Sequence, residues 1–150
     1  MRAVIQRVSA ASVAIQGAVH SQISQGLMVL VAVEDLDTTD DAEWLAGKLV
    51  RLRVFDDESG VMNRSVLDIQ GGVLIVSQFT LYGSTKKGNR PSYIRSSRPE
   101  IAIPIYDFFV SRVTAFLGRS AATGIFGAAM KVSLVNEGPV TLFIDSKARE

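Results

Sequence analysis

Gly26 to Val33, "GLMVLVAV", is eight consecutive residues without a charged or hydroxyl-bearing side chain. It is far shorter than the roughly 20 residues that cross a bilayer, so it reads as a continuous buried strand. A second apolar run, "GGVLIVSQFTLYG" (Gly71 to Gly83), reads as another strand that meets polar Ser77 and Gln78 partway. Upstream, "RAVIQRVS" and "ASVAIQG" predict two short strands, with a turn at Gly17. Two stretches have helical spacing instead. In "EDLDTTDDAEWLAGKLVRLRV" the apolar positions are Trp44, Leu45, Leu49 and Leu52, with Thr38, Thr39 and Asp40 as candidate N-caps. Asp41 and Glu43 suit the positive end of that helix dipole. In "PEIAIPIYDFFVSRVTAFLG" Pro99 fits the first turn, and Ile101, Ile105, Phe108, Val113, Phe116 and Leu117 are the expected apolar face. Pro104 inside that pattern predicts a kink or a later start. "DDESG" (Asp56 to Gly60) reads as a turn.

The order strands, helix, strands, helix, strands predicts an α+β fold. Its sheet is mixed, largely antiparallel and curled toward a barrel, with two main helices packed on it. The length of 150 residues suits one domain spanning 1–150. With 47% hydrophobic and 21% charged residues the chain can bury a core, which excludes a disordered class.

Composition also restricts the chemistry. There is no cysteine, hence no disulfide, thiolate metal site or cysteine nucleophile, and a cytoplasmic setting is expected. The N-terminus lacks the h-region of a signal peptide. One histidine, His20, cannot form a multi-histidine zinc site, and it reads as a surface or strand residue. The acidic group Glu34, Asp35, Asp37, Asp40 and Asp41 lacks the calcium-loop pattern and reads as a solvated helix start. No metal and no cofactor are expected. The net charge of +1 means that nucleic acid would have to meet a local patch.

Three features could carry function. "SQFT", Ser77 to Thr80, places polar groups at the end of a buried strand, where active sites are common; it equally describes a strand leaving the core. The segment Ser84 to Arg98 holds Lys86, Lys87, Arg90, Arg95 and Arg98 with no acid and with Tyr93 interleaved. It reads as either a phosphate contact or a solvated loop. Finally, "KVSLVNEGPVTLFIDS" (Lys131 to Ser146) alternates like a strand, meets Gly138-Pro139, and alternates again. Proline donates no backbone hydrogen bond, so this is either a plain turn between two strands or a display of carbonyl acceptors. An X-Pro bond makes a cis peptide accessible there.

"SQFTLYG", "NRPSY" and "TGIFGAAMKVSLVNEGPVTLFIDS", with "AVIQRVSAASV" and "YDFFV", closely resemble the D-aminoacyl-tRNA deacylases, also called D-tyrosyl-tRNA deacylases. The resemblance covers nearly the whole chain. Glu137 stands where that family commonly has aspartate, and Tyr82 stands where it varies. The resemblance implies a hydrolase that cleaves the ester joining a D-amino acid, or glycine, to the terminal ribose of tRNA. It implies a homodimer with active sites at the subunit interface and no membrane association. Gln78, Phe79 and Thr80 would be catalytic. Ser77, Gly138, Pro139, Arg7 and Met130 would bind substrate, with a cis Gly138-Pro139 reaching into the partner's site and Arg7 bracing it. The tRNA's own 2′-hydroxyl would assist the attacking water, and backbone N–H groups near Phe79 and Thr80 would stabilise the oxyanion. From charge, Lys86, Lys87 and Arg90 would meet acceptor-stem phosphates. The competing readings are a non-catalytic nucleic-acid-binding module and an editing domain that removes an L-amino acid.

Overall fold

A computed structural model describes residues 1–149. The elements in chain order are β1 (Arg2–Ile15), β2 (Ala18–Ile23), β3 (Gly26–Ala32), α1 (Thr39–Arg51), β4 (Phe55–Asp56), β5 (Met62–Arg64) and β6 (Gly72–Ser77). A 3-10 turn (Phe79–Tyr82), α2 (Pro99–Leu117), β7 (Ala122–Thr123) and β8 (Met130–Asp145) complete them. The main sheet has the order β2-β1-β3-β6-β7, with β8 paired to β1, and β4-β5 form a separate small sheet. β1 is antiparallel to β2, β3 and β8, whereas β3-β6 and β6-β7 are parallel. The Ser21 hydroxyl of β2 donates to the Thr123 carbonyl of β7 (2.7 Å), so the sheet nearly closes into a barrel. This is the mixed, largely antiparallel sheet with two helices that the element order predicts.

The central strands are apolar throughout because both their faces are covered. Leu27, Val29 and Val31 of β3, with Val73 and Ile75 of β6, pack under the two helices. Met28, Leu74 and Val76 point the other way, into the barrel, against Val8, Ala11 and Val13 of β1. Alternation along a strand sends neighbours to opposite faces, so two cores require an unbroken apolar run. The helices close the outer core with Leu45 and Leu49 from α1 and Phe109 and Val113 from α2, all fully buried.

Several sequence expectations need correction. The two N-terminal strands are one, β1, which pairs with β3 over its first half and β2 over its second. Opposite β8, Ser9 is an extra residue between Val8 and Ala10. That bulge reverses the side-chain parity, which is how Val8 and then Ala11 and Val13 reach the same core. The apolar run from Gly71 does not stay extended to Gly83; the strand ends at Ser77 and a 3-10 turn follows. On α2 the buried residues are Ala102, Tyr106, Phe109, Val113 and Leu117; Val113 and Leu117 are as expected, whereas in the first half of the helix the packed face lies one residue further on and Ile101 is exposed. A helix apolar nearly all round does not reveal its inward stripe from hydropathy. α2 starts at Pro99 and continues through Pro104. The carbonyl that Pro104 leaves without its N–H is that of Glu100, which is exposed to water. The final pair of strands is likewise a single strand, β8.

The acidic group is not a solvated helix start. The Met1 amine pairs with buried Asp37, and Arg95 pairs with Glu34 at 3.2 Å. Asp41 accepts from the Thr38 N–H at 2.9 Å, closing α1's N-terminus, and from Lys147 Nζ at 2.6 Å. Burial alone would raise the Asp41 carboxyl, but these hydrogen bonds outweigh it and hold it well below the usual carboxylate range. A depressed folded value means that this carboxylate stabilises the fold above the ordinary value of 3.8, and the contribution fades as the pH falls below it. Lys147→Ala is therefore expected to lower stability near neutrality by about 0.5–1 kcal/mol, since the lysine is partly solvated. In urea titrations the gap to the unaltered protein should narrow between pH 5 and pH 2 (about the range of the unfolded carboxylate); a gap independent of pH would contradict this role.

Candidate functional site

β6 ends where its neighbour still needs a partner. Gln78 N–H donates to Val31 O at 2.7 Å, holding the chain against β3 for one more residue. The backbone then tightens into the 3-10 turn, with Leu81 N–H to Gln78 O (3.2 Å) and Gly83 N–H to Thr80 O (2.9 Å). The first donors of a helical turn lack partners within it, and neither the Phe79 nor the Thr80 N–H is bonded among the described residues. The Gln78 side chain amide donates to the Thr80 hydroxyl at 2.5 Å, which fixes both side chains.

Beside this turn lies a cavity of about 270 Å³. Ser77, Gln78, Phe79 and Met130 line it, as expected from the sequence, whereas exposed Thr80 sits at its rim without lining it. Sequence reasoning missed Ser97, Tyr106 and Phe126, which complete the walls. Tyr106 was hidden on the misassigned side of α2. Its hydroxyl donates to Ile75 O at 3.3 Å, and its ring meets Phe126 edge-on at 5.7 Å. Burial, with a smaller push from Asp107, raises its phenol to about 12, so it stays a neutral wall. Met130 reaches the cavity across Gly124, where even a β-carbon would collide with its sulfur. At the mouth, exposed Phe79 and Tyr93 stand edge to face, 5.1 Å apart.

Gly138-Pro139 forms a second centre. Gln6 pairs with Thr141 and Val8 with Asn136, so Glu137 to Val140 are looped out opposite Arg7. The reading of a plain turn between two strands is thus replaced by a wide bulge within one strand. The Gly138-Pro139 peptide is cis. Asn136 closes the bulge from inside: its Oδ1 accepts from Val140 N–H (3.0 Å), and its Nδ2 donates to the Thr141 hydroxyl (3.0 Å). Arg7 closes it from below. Its guanidinium is buried and donates to Glu137 O (2.9 Å) and Val54 O (2.6 Å), and it contacts Asp56 at 3.3 Å. A buried guanidinium needs such partners, because an unpaired one is costly. Gly138 has φ +134, which glycine alone tolerates, and a β-carbon there would lie 2.8 Å from Arg7 Nη2.

The two centres do not share a cavity within one chain. Arg7 and Gly138 border a separate pocket of about 370 Å³ with Phe55 and Asp56. Lys86, Lys87 and Arg90 are exposed on the loop between the turn and α2, whereas Arg95 is engaged by Glu34. His20 is an exposed extra residue in β2 and lines neither pocket. Among the described residues, no group of three or more acidic, histidine or cysteine side chains is placed to hold a metal ion.

The family described as D-Tyr-tRNA(Tyr) deacylase matches residues 4–145. Proteins named D-aminoacyl-tRNA deacylase from Porphyromonas gingivalis and Phocaeicola vulgatus are 59% and 55% identical over 150 residues, covering all of both chains. A solved structure, the c-Myc DNA Unwinding Element Binding Protein, superposes with a TM-score of 0.93 at 39% identity, covering 99% of this chain and 100% of that one. A probable eukaryotic D-amino acid tRNA deacylase shares the fold, with a TM-score of 0.81 at 20% identity and coverage of 95% and 97%.

Gly138→Ala should strain the bulge and displace Arg7 from Glu137. The expected loss is about 1–3 kcal/mol of unfolding free energy, measured by chemical denaturation; an unaltered midpoint would mean that Arg7 does not depend on the bare backbone at Gly138.

Proposed function

The chain belongs to the D-Tyr-tRNA(Tyr) deacylase family, and on that premise we propose how its residues 1–150, acting as one domain, perform the reaction. The enzyme is an aminoacyl-tRNA hydrolase that removes D-amino acids from tRNA. The observation that carries the mechanism is the pair of unbonded N–H groups at Phe79 and Thr80, opening beside a cavity walled by Ser77, Gln78 and Met130.

In our reading the cavity receives the terminal adenosine and its ester. Water attacks the ester carbonyl carbon, and the negative charge that develops on the carbonyl oxygen is met by the N–H groups of Phe79 and Thr80. Each donor fixed in advance at such a position is worth about 3 kcal/mol. The bond to the ribose 3′-oxygen then breaks, that oxygen takes a proton, and the free amino acid leaves. As the resemblance to the family implies, the terminal ribose 2′-hydroxyl orients the water, which accords with a chain that has no cysteine and whose one histidine lies elsewhere. Gln78 holds the Thr80 side chain rather than acting as a base.

Chirality is read by the bulge. D- and L-amino acids carry the same groups, so a rigid wall that excludes one hand discriminates better than added attraction. Gly138 and Pro139 of a partner subunit provide that wall, and their carbonyls accept from the substrate's α-amino group. Their distance from the cavity within one chain is what this cross-subunit arrangement predicts. β8 supports it: apart from a bridge from Asp145 to Ala148 at its far end, its outer edge pairs with nothing among the described residues, and it exposes Val132, Leu134 and Val135 on the approach to the bulge. Glycine lacks a side chain to exclude, so glycine on a non-cognate tRNA(Ala) is also cleared. The setting is cytoplasmic, where charged tRNA is used, and none of the described helices is long and apolar enough to cross a membrane.

One substrate panel tests this: D-tyrosyl-, L-tyrosyl- and glycyl-tRNA, plus D-tyrosyl-tRNA ending in 2′-deoxyadenosine. Rapid release from the D and glycyl forms is expected, with at least a hundredfold less from the L and deoxy forms (about 2.8 kcal/mol). Equal D and L rates would refute the chiral wall, and full activity on the deoxy substrate would refute the role of the 2′-hydroxyl. Sedimentation should give a dimer at working concentration; a stable, fully active monomer would exclude the shared site.

A further inference from the structure

Tyr82 lies at the end of the 3-10 turn, three residues past Phe79, and is 1% exposed. Its hydroxyl is buried without a hydrogen-bond partner. Burial, reinforced by Asp37, Glu34 and Asp145, raises the phenol far above its ordinary range, so it remains protonated. The contacts that tie this side chain to charged neighbours are made by its ring.

Two guanidinium groups sit over that ring. The Arg2 guanidinium carbon is 4.5 Å from the ring centroid and that of Arg95 is 5.4 Å. Arg2 belongs to the body of the fold, where its Nε donates to Asp145 (2.9 Å) and its Nη1 to Leu81 O (3.1 Å). Arg95 belongs to the basic segment and is steadied by Glu34. The next two residues extend the attachment. Ser96 donates through its hydroxyl to Phe79 O (2.7 Å), and Ser97 to Asp35 (2.7 Å). The far part of the segment, with Lys86, Lys87 and Arg90, is exposed, and none of these three forms an ion pair among the described residues. The Tyr82 ring is buried while the Arg95 guanidinium is half exposed, so their contact is a cation–π pair of ordinary, partly solvated strength.

We propose that Tyr82 is a positioning residue for the tRNA: by holding Arg95 on its ring, it fixes the basic segment so that Lys86, Lys87 and Arg90 meet substrate phosphates. This rests on reading those three cations as the phosphate contact. The attachment also joins the segment to the turn that carries Phe79, so the phosphates and the ester are registered against one rigid piece. The hydroxyl takes no part.

The test compares steady-state hydrolysis of D-tyrosyl-tRNA with that of a D-tyrosyl ester of adenosine, which has no stem phosphates, across a range of salt. Tyr82→Phe should behave as the unaltered enzyme. Tyr82→Leu and Arg95→Ala should raise KM for the tRNA about threefold and leave kcat and turnover of the adenosine ester unchanged. They should also flatten the dependence of KM on salt, because fewer counterions are released. Equal losses on both substrates, or an unchanged KM in Arg95→Ala, would overturn the proposal. Arg95 is half exposed, so its variant decides the matter even if Tyr82→Leu fails to fold. A Lys86→Ala, Lys87→Ala, Arg90→Ala triple variant separates the two layers. Unchanged KM there removes the phosphate reading and this inference with it. Raised KM there, with Arg95→Ala unaffected, removes the role of Tyr82 alone.

Discussion

β1 is the strand on which the rest of the molecule is registered. One of its edges carries β8 from end to end, and the other carries β3 and then β2. Serving three neighbours while the sheet curls imposes two irregularities on the β1–β8 ladder. At Ser9 the extra residue lies in β1 and moves its odd-numbered positions from the core under the helices to the core inside the barrel. At Arg7 the extra residues lie in β8, and the surplus backbone becomes the Gly138-Pro139 bulge. The guanidinium that fills the gap is bound to carbonyls on both sides, Glu137 O and Val54 O. The same arginine thereby ties the small β4–β5 hairpin to the bulge.

How much of this could be read beforehand depended on the kind of signal. Gly26 to Val33 announced a strand covered on both sides, because an unbroken apolar run of this length is short for a buried helix and usual for a buried strand. The Gln16-Gly17 turn was equally legible, since Gly17 adopts φ +82 and Gln16 +51 in a tight hairpin. α2 was legible as a helix, and Val113 and Leu117 were legible as inward, but its first half was not: Ile101, Ile105 and Phe108 are at least as apolar as Ala102, Tyr106 and Phe109, so only the packing against α1 and the sheet selects between them. β8 was misread because Gly-Pro usually ends a strand. Here Asn136 supplies, through its side chain, the hydrogen bonds that the ladder loses.

The site divides in the same way. Ser77 to Phe79 and Met130 were identified through their resemblance to a family, and the fold brings them to one cavity. Ser97, Tyr106 and Phe126 carry no motif of their own and join only because the loop, α2 and the β7–β8 connection converge. The basic run was visible as charge, but charge alone did not distinguish its members. Arg95 is spent on Glu34 and Tyr82, which leaves the exposed cations Lys86, Lys87 and Arg90 toward the other end.

The contact between Met130 and the bare backbone of Gly124 has an evolutionary corollary. A side chain at position 124 would displace the flexible end of Met130, because both would occupy the volume of one sulfur atom. The two positions are therefore expected to drift as a pair. A lineage that enlarges the first must re-aim or shorten the second, and the floor of the cavity changes shape with it.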